Sequence, residues 1–370
     1  MKKQLNNALE NACKTGVADG VCTGVSAAVS VVCNKARYRS VFACGKTRSD
    51  HLARPVTTAT LFDLASLTKP LCTTLCTLAL IETGLIRWES TCLSELSYDI
   101  SLEKSVISIH NILHHASGLP AYKPYFQQFK PHINPENIPL LLGQILAEPL
   151  VQPVGSQCLY SDLGFILLGQ LIEQKARLPL DCFFKKTITK PLGLDQHLHF
   201  MPVCSTGQRE KEMTAATELC PWRHELIQGE VHDEHCWLMG GVAGHAGLFG
   251  TAGSVLTLGE NLLDCWLEKT QNQAFANQLV RYTLEWRDNA GPWALGFDRP
   301  TPGQSSSGRY FSCRSVGHLG FTGTSLWMDP DRQLVVVLLT NRVHPSRENL
   351  KIRTFRKFFH DYLIEKSGMT

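Results

Sequence analysis

Two pairs of hydrophobic runs, one near each end of the chain, predict β-hairpins. Residues 25–32 and 38–43 are rich in valine and are joined by a short polar linker. Runs of β-branched residues on either side of a polar linker are typical of antiparallel strands. Residues 317–327 and 333–340 repeat this arrangement around an Asp-Pro-Asp turn. The pattern therefore predicts a strand-rich region at each end of the sequence.

Helical spacing of apolar residues dominates the middle of the chain. The predicted helices fall at residues 4–15, 70–83, 109–115, 138–147, 163–175, 255–267 and 346–364. The last of these has apolar residues on one face and basic residues around them. This pattern favours packing against a sheet over binding to a membrane surface.

The order of these elements predicts the α+β fold class. We expect an antiparallel sheet built from both chain ends and flanked by terminal helices, with an inserted, mainly helical lobe. The chain should form a single catalytic unit over residues 1–370. Residues 1–65 and 300–370 form its α/β lobe, and residues 66–299 form the helical lobe. A cleft where two lobes meet is the expected place for a functional site.

Composition and charge exclude several classes of function. The 370 residues are 44% hydrophobic and carry a net charge of +3, a surplus too small to give the broad positive surface that nucleic acids need. No run of 18 apolar residues exists, so no membrane span is expected. The first residues are basic but lack the apolar centre of a signal peptide, which predicts a cytoplasmic protein, or a periplasmic one if a leader was trimmed. The expected partner is a small-molecule substrate, and the oligomeric state stays open.

Metal and disulfide frameworks are also disfavoured. The fourteen cysteines contain no C-x-x-C pair, and a disulfide scaffold is not expected in a reducing compartment. The run from His232 to His235 offers possible ligands, but adjacent residues cannot all converge on one ion. A zinc hydrolase that uses His232 and His235 is therefore a remote alternative. We expect no metal and no cofactor.

The tetrapeptide Ser66 to Lys69 is an S-x-x-K motif and the first candidate for chemistry. A second copy, Ser101 to Lys104, lies in a polar stretch of loop character, whereas Ser66 stands at the start of a helix, because Pro70 is tolerated only in a first turn. The i, i+3 spacing places Lys69 on the same face as Ser66. If Lys69 loses contact with water in a cleft, its pKa should fall and the amine can help deprotonate the serine.

Two later segments, together with the S-x-x-K motif, form a pattern of three motifs. They are Tyr160-Ser161-Asp162 and His318-Leu319-Gly320. With S-x-x-K, in this order and spacing, the chain resembles the serine β-lactamase/penicillin-recognising superfamily, in particular its class C-like branch of β-lactamase-related serine hydrolases, D-aminopeptidases and esterases. The resemblance covers nearly the whole chain and implies a β-lactamase/transpeptidase-like fold.

The resemblance also implies roles for individual residues. Catalysis would use a nucleophile, its proton partner, a general base and a histidine that holds the polar network, which correspond to Ser66, Lys69, Tyr160 and His318. The oxyanion hole would consist of the backbone N–H groups of Ser66 and Phe321. Substrate would contact Asp162, Leu319 and Gly320. His115 and His245 lie in turns and are expected to be structural.

Two departures from the family pattern bear on the substrate. Asp162 stands where a neutral asparagine is usual, and Leu319 lacks the hydroxyl that would bind a substrate carboxylate. These changes favour a cofactor-free serine hydrolase that forms an acyl-enzyme on small esters or D-amino-acid-type amides. A true β-lactamase or penicillin-binding DD-carboxypeptidase is the alternative. A non-catalytic binding or scaffold module is a remote one, which the intact Ser66, Lys69 and Tyr160 disfavour.

Overall fold

A five-stranded antiparallel sheet lies at the centre of the computed structural model, which describes residues 1–96, 101–203, 205, 207–270 and 274–369. The described strands are β1 (Gly24–Cys33), β2 (Ala36–Gly45), β3 (Phe62–Asp63), β4 (Leu198–Phe200), β5 (Leu219–Cys220), β6 (Glu225–Leu226), β7 (Leu248–Gly250), β8 (Val316–Leu319), β9 (Ser325–Asp329) and β10 (Leu334–Thr340). The sheet has the order β2-β1-β10-β9-β8, and β1 pairs with β10. Both ends of the chain therefore build one sheet, as the sequence predicts.

Helices cover the sheet and form the inserted region. The α-helices of the described chain are α1 (Lys2–Ala18), α2 (Leu75–Glu82), α3 (Cys92–Glu95), α4 (Ile109–Leu113), α5 (Asn137–Ala147), α6 (Asp162–Ala176), α7 (Leu180–Phe184), α8 (Gln208–Glu212), α9 (Glu234–Leu238), α10 (Ala252–Trp266), α11 (Asn277–Glu285) and α12 (Ile352–Lys366). Short 3₁₀ turns cover Ala65–Leu67 and Tyr125–Gln128, and wider π-helical segments cover Lys69–Thr74 and Lys185–Thr189. Within the described ranges, none of the helices has the length and apolar character needed to cross a membrane.

Strand β10 is buried on both faces, which explains its continuous apolar sequence. Val335, Val337 and Leu339 pack into the core on the side of α10, while Leu334, Val336 and Leu338 pack on the side of α1 and α12. Successive side chains of a strand point to opposite faces, so a strand between two layers needs apolar residues at every position. The helix predicted at 346–364 begins later, at Ile352, and packs on the sheet as expected.

The second predicted hairpin differs from the structure in one respect. Residues 317–327 are not a single strand, because β8 ends at Leu319 and the chain turns through residues 320–324 before β9 begins. Gly323 has a φ of +102°, a conformation that side-chain-bearing residues rarely adopt. Because apolar residues lie on both sides of this turn, the hydrophobic pattern of the sequence does not reveal it. The result is an extra hairpin at the edge of the sheet, next to the nucleophile segment.

A small sheet fixes the segment that contains Ser66. Its strand order is β3-β7-β4, and β3 ends three residues before Ser66. The loop that precedes β7 approaches α6 very closely: a Cβ atom added to Gly244 would lie 2.1 Å from the Phe165 carbonyl oxygen and 2.9 Å from the Gly169 nitrogen. In the same loop the Gly244 carbonyl accepts a hydrogen bond from Thr73 Oγ1 at 2.6 Å. Three segments of the helical region therefore meet beside Ser66.

We expect Gly244→Ala to destabilise the protein by about 2 kcal/mol, because the added methyl overlaps backbone that cannot move freely. Gly143→Ala is the matched control, since Gly143 lies on an exposed position of α5 with no neighbour within 4 Å of an added Cβ. In a helix interior that change should be neutral or stabilise by up to about 1 kcal/mol. Thermal unfolding of both variants measures the difference. Equal melting temperatures for the two variants would contradict the close approach of the loop and α6.

Candidate active site

The chain makes a strained turn immediately before Ser66. Ala65 has a φ of +48°, which is uncommon for a residue with a side chain and costs free energy. The turn is held by the buried carboxylate of Asp63, which accepts hydrogen bonds from the Ala65 N–H at 2.8 Å and from the His232 N–H at 2.7 Å. These contacts present the Ser66 side chain to a cleft between the sheet edge and the helical region.

The hydroxyl of Ser66 contacts both of its predicted partners. Lys69 Nζ donates to Ser66 Oγ at 2.9 Å, and Tyr160 Oη donates to the same oxygen at 2.8 Å. The second S-x-x-K copy forms no such pair, since Ser101 is exposed and the buried Lys104 ammonium donates to the Leu146 carbonyl instead. The structure thus brings together one serine, one lysine and one tyrosine from two distant segments.

The ammonium group of Lys69 is completely buried and contacts three polar groups. Besides Ser66 Oγ, it donates to the carbonyl of His245 at 3.1 Å and forms an ion pair with Asp162 Oδ1 at 2.7 Å. Burial disfavours the ammonium form, but the charge of Asp162 and the phenol oxygen of Tyr160 favour it more strongly, so the pKa of Lys69 is raised. The prediction of a lowered lysine pKa is therefore wrong, because it took account of burial alone.

Asp162 lines the cleft, but its charge is paired. It is the first residue of α6, where the helix dipole favours a carboxylate, and it neutralises Lys69 directly. A free carboxylate at Asp162, in place of the usual neutral asparagine, would repel an anionic substrate. In the structure the Asp162–Lys69 pair is neutral overall, and this reason for excluding carboxylate-bearing substrates no longer holds.

The ring of Tyr160 is packed among aromatic side chains. His115, Trp293 and His318 place their ring centroids 4.7, 5.6 and 5.9 Å from that of Tyr160. Burial raises the pKa of Tyr160 to about 12, because the Lys69 cation only partly offsets the loss of water and Asp162 opposes ionisation. His115 holds the backbone next to Tyr160, since its Nδ1 accepts a hydrogen bond from the Ser161 N–H at 3.1 Å. This contact fits the structural role expected for His115.

His318 is buried beside Tyr160 without a hydrogen bond to it among the described residues. Its Nδ1 lies 2.8 Å from the Leu319 carbonyl, an acceptor, so the ring proton belongs on Nδ1. Burial and the nearby charge of Lys69 lower the pKa of His318 to about 3, which keeps the ring neutral at physiological pH. Nε2 is left as a buried acceptor with no partner in the described chain, and the residue lines the cleft.

Residues 320–324 bring Phe321 next to the nucleophile segment. Thr322 Oγ1 donates to the Asp63 carbonyl at 2.8 Å, and Thr324 Oγ1 donates to the Leu64 carbonyl at 3.0 Å. Gly320 leaves no room for a side chain, because an added Cβ would lie 2.6 Å from the Leu64 oxygen. Within the described ranges, the backbone N–H groups of Ser66 and Phe321 donate no hydrogen bond. Both predicted oxyanion donors are thus unused.

His232 and His235 do not converge on a common site. His232 Nε2 lies 2.9 Å from the Glu218 carboxylate, while His235 Nε2 accepts the Phe126 N–H at 3.3 Å. No group of three or more candidate ligands that could hold a metal ion occurs in the described part of the chain.

Several cleft residues escaped the sequence analysis. The cleft has a volume of about 780 Å³, and its wall includes aromatic and charged side chains that no motif marked, namely Tyr122, Trp293, Arg342, Arg353 and Arg356, besides Asp233, which the sequence offered only as a metal ligand. Asp233 caps α9, and its carboxylate lies 2.7 Å from His245 Nε2. His245, expected to be structural, therefore contributes its carbonyl to Lys69, and its ring contacts Asp233, which lines the cleft. These contacts join segments far apart in sequence, so no local spacing could have revealed them.

Comparisons with known proteins agree with this geometry. A family model described as Beta-lactamase matches residues 9–359. A protein named "Putative D-alanyl-D-alanine carboxypeptidase" from Salmonella enteritidis PT4 (strain P125109) is 32% identical over 332 residues, which cover 81% of this chain and 74% of that protein.

Two solved structures show the fold alone, since their sequence identities are low. EstCE1, a hydrolase with promiscuous acyltransferase activity, has a TM-score of 0.72 and 19% identity, and the match covers 96% of this chain and 99% of that one. A class C β-lactamase has a TM-score of 0.71 and 16% identity, with coverages of 97% and 98%. These matches confirm the predicted fold class.

Proposed function

Because the chain belongs to the β-lactamase family and is a hydrolase of that fold, we propose that it acts through an acyl-enzyme on Ser66. The observation that carries the proposal is the pair of hydrogen bonds on Ser66 Oγ, from Lys69 and from Tyr160. A serine hydroxyl is a weak nucleophile until a neighbouring group removes its proton. Beside it, the unused N–H groups of Ser66 and Phe321 supply donors for the negative charge that develops in acyl transfer.

Tyr160 is the proton carrier in this mechanism. The Lys69 ammonium has no free electron pair, so it cannot accept the Ser66 proton. Tyr160 is a phenol in the resting site, since burial raises its pKa to about 12, so its proton must first pass to solvent. The resulting phenolate, stabilised by the Lys69 charge, takes the Ser66 proton as Ser66 Oγ bonds to the substrate carbonyl carbon. Tyr160 then returns the proton to the leaving group as the scissile bond breaks. Water attacks the acyl-enzyme in the second half, with Tyr160 in the same role.

Labelling with a fluorophosphonate probe tests the nucleophile. We expect the probe to attach to Ser66, and Ser66→Ala to abolish labelling, because the probe reacts with an activated serine. Ser101→Ala is the matched control, since Ser101 belongs to the exposed S-x-x-K copy and should label like the parent. Peptide mass spectrometry locates the label. A label on any residue other than Ser66 would reject the assignment.

Small esters and D-amino-acid-type amides are the substrates that we propose first. The Leu319 side chain offers no hydroxyl to a substrate carboxylate, and neutral His318 offers no charge. Aromatic faces of Tyr122, Trp293 and Phe321 line the cleft and suit an uncharged or partly apolar substrate. Together these features support a cleft that accepts neutral acyl groups.

A DD-carboxypeptidase-type or β-lactam-hydrolysing activity is the second candidate. Three arginines, Arg342, Arg353 and Arg356, line the cleft, and none of them forms an ion pair with a carboxylate of the described chain. Their positive charge would attract a substrate carboxylate. The name of the Salmonella relative points in the same direction.

A substrate panel separates the two candidates. We expect the highest kcat/KM on a short p-nitrophenyl ester or a D-amino-acid anilide, and lower values on a D-Ala-D-Ala peptide and a chromogenic cephalosporin. Leu319→Thr should raise the cephalosporin value about 10-fold, since a hydrogen bond to a charged group contributes about 1.5 kcal/mol or more. Leu350→Thr, which adds a hydroxyl elsewhere on the cleft wall, is the control. If the parent enzyme prefers the peptide or the cephalosporin, the DD-carboxypeptidase-type or β-lactam-hydrolysing activity becomes the favoured function.

A further inference from the structure

Two arginines support the peptide that contains the predicted oxyanion donor of Phe321. Arg356, on α12, is buried, and its Nη2 donates to the carbonyls of Gly320 at 2.7 Å and Thr324 at 2.8 Å. Arg342 follows β10, and its Nε donates to the Phe321 carbonyl at 2.8 Å. The carbonyls on both sides of the Phe321 N–H are therefore each bound by a guanidinium group.

Neither arginine forms an ion pair with a carboxylate of the described chain, although the charge of Glu218 acts on Arg342. Arg347, their neighbour on the cleft wall, shows the contrast, because it is ion-paired with Glu218 and Glu234, each at 2.6 Å. Burial and the charge of Arg342 lower the pKa of Arg356 to about 9. Keeping the buried Arg356 cation beside Arg342 without an ion-pair partner of its own is costly, so a purely structural purpose would be served better by a neutral donor.

The geometry of a peptide bond links Arg356 to the oxyanion hole. In a trans peptide the carbonyl of one residue and the N–H of the next lie in one rigid plane and point in opposite directions. A guanidinium that fixes the Gly320 carbonyl therefore also fixes the direction of the Phe321 N–H. It draws electron density towards the carbonyl oxygen as well, which strengthens the N–H as a donor, as in a chain of polarised hydrogen bonds.

We propose that Arg356 is a positioning residue that holds and polarises the Gly320–Phe321 peptide so that the Phe321 N–H stabilises the oxyanion formed at Ser66. The inference rests on the acyl-enzyme function proposed above. It assigns a role to a residue outside all three sequence motifs, at the far end of the chain. The uncompensated charge of Arg356 adds to the stabilisation, because negative charge develops one peptide away from it.

The test compares an aryl ester with the corresponding thionoester, in which sulfur replaces the carbonyl oxygen. An oxyanion hole stabilises oxygen much better than the larger and more weakly hydrogen-bonding sulfur, so the ester-to-thionoester ratio of kcat/KM reports on the hole itself. Arg356→Met should lower kcat on the ester by about 10- to 100-fold, with little change in KM. This loss in kcat is no larger than the loss caused by removing a whole oxyanion donor. The ratio should fall at least about 5-fold. Arg356→Lys, which retains charge and a donor, should recover part of both losses.

Arg299→Met is the matched control. Arg299 is also buried, donates Nη2 to two backbone carbonyls, of Leu284 and Trp286, and has no carboxylate partner in the described chain, but it lies outside the lining of the cleft. We expect it to lower the melting temperature as Arg356→Met does while leaving the ester-to-thionoester ratio unchanged. If Arg356→Met does not fold, the ratio measured on Arg356→Lys decides, with a fall of about 2-fold or more expected.

Three results would overturn the proposal. An equal loss on ester and thionoester would make Arg356 a structural residue. A loss confined to a substrate with a free carboxylate, and absent on its methyl ester, would make it an anion-binding residue. A parent enzyme that neither labels at Ser66 nor hydrolyses the ester would reject the acyl-enzyme function, and this inference with it. If Ser66 is labelled but the ratio does not move, only the role of Arg356 fails.

Discussion

The buried ammonium of Lys69 is the interaction on which the site depends. It contacts the hydroxyl of Ser66, the carboxylate of Asp162 and the carbonyl of His245, which belong to three segments far apart in sequence. The ammonium donates two hydrogen bonds, to Ser66 Oγ and the His245 carbonyl, and its charge is paired with Asp162. A buried cation without these partners would be strongly destabilising. The same contacts therefore stabilise the helical region and define the geometry around the nucleophile.

The rest of the fold brings these partners within reach. The close approach of Gly169 and Gly244 places α6, which begins at Asp162, against the loop that contains His245. On the other side of Ser66, the turn between β8 and β9 is hydrogen-bonded to the backbone of Asp63 and Leu64. The first approach needs glycine on both sides, and the second uses two threonine hydroxyls, so contacts to the backbone hold the segments on either side of Ser66 in place.

The sequence predicted the parts of this arrangement that depend on local spacing. The pairing of Ser66 with Lys69 follows from one helical turn, and the strand at 333–340 follows from its apolar run. The charge state of Lys69 could not be predicted in this way, because burial and Asp162 act in opposite directions and only their distances decide which prevails. Nothing in the sequence marked Arg356 as a residue of the site, since a basic residue in an amphipathic helix is usually exposed to solvent.

A direct titration of Lys69 tests the central claim, that its ammonium stays charged because Asp162 compensates for its burial. Heteronuclear NMR of protein labelled with ¹³C-lysine follows the Cε shift of each lysine with pH, and the signal missing from Lys69→Met identifies this residue. Lys69 is expected to titrate above the range of an ordinary lysine, and Asp162→Asn is expected to bring its titration down, since the loss of a charge partner leaves burial to lower the pKa. A parent protein whose Lys69 titrates near neutral pH would contradict the account.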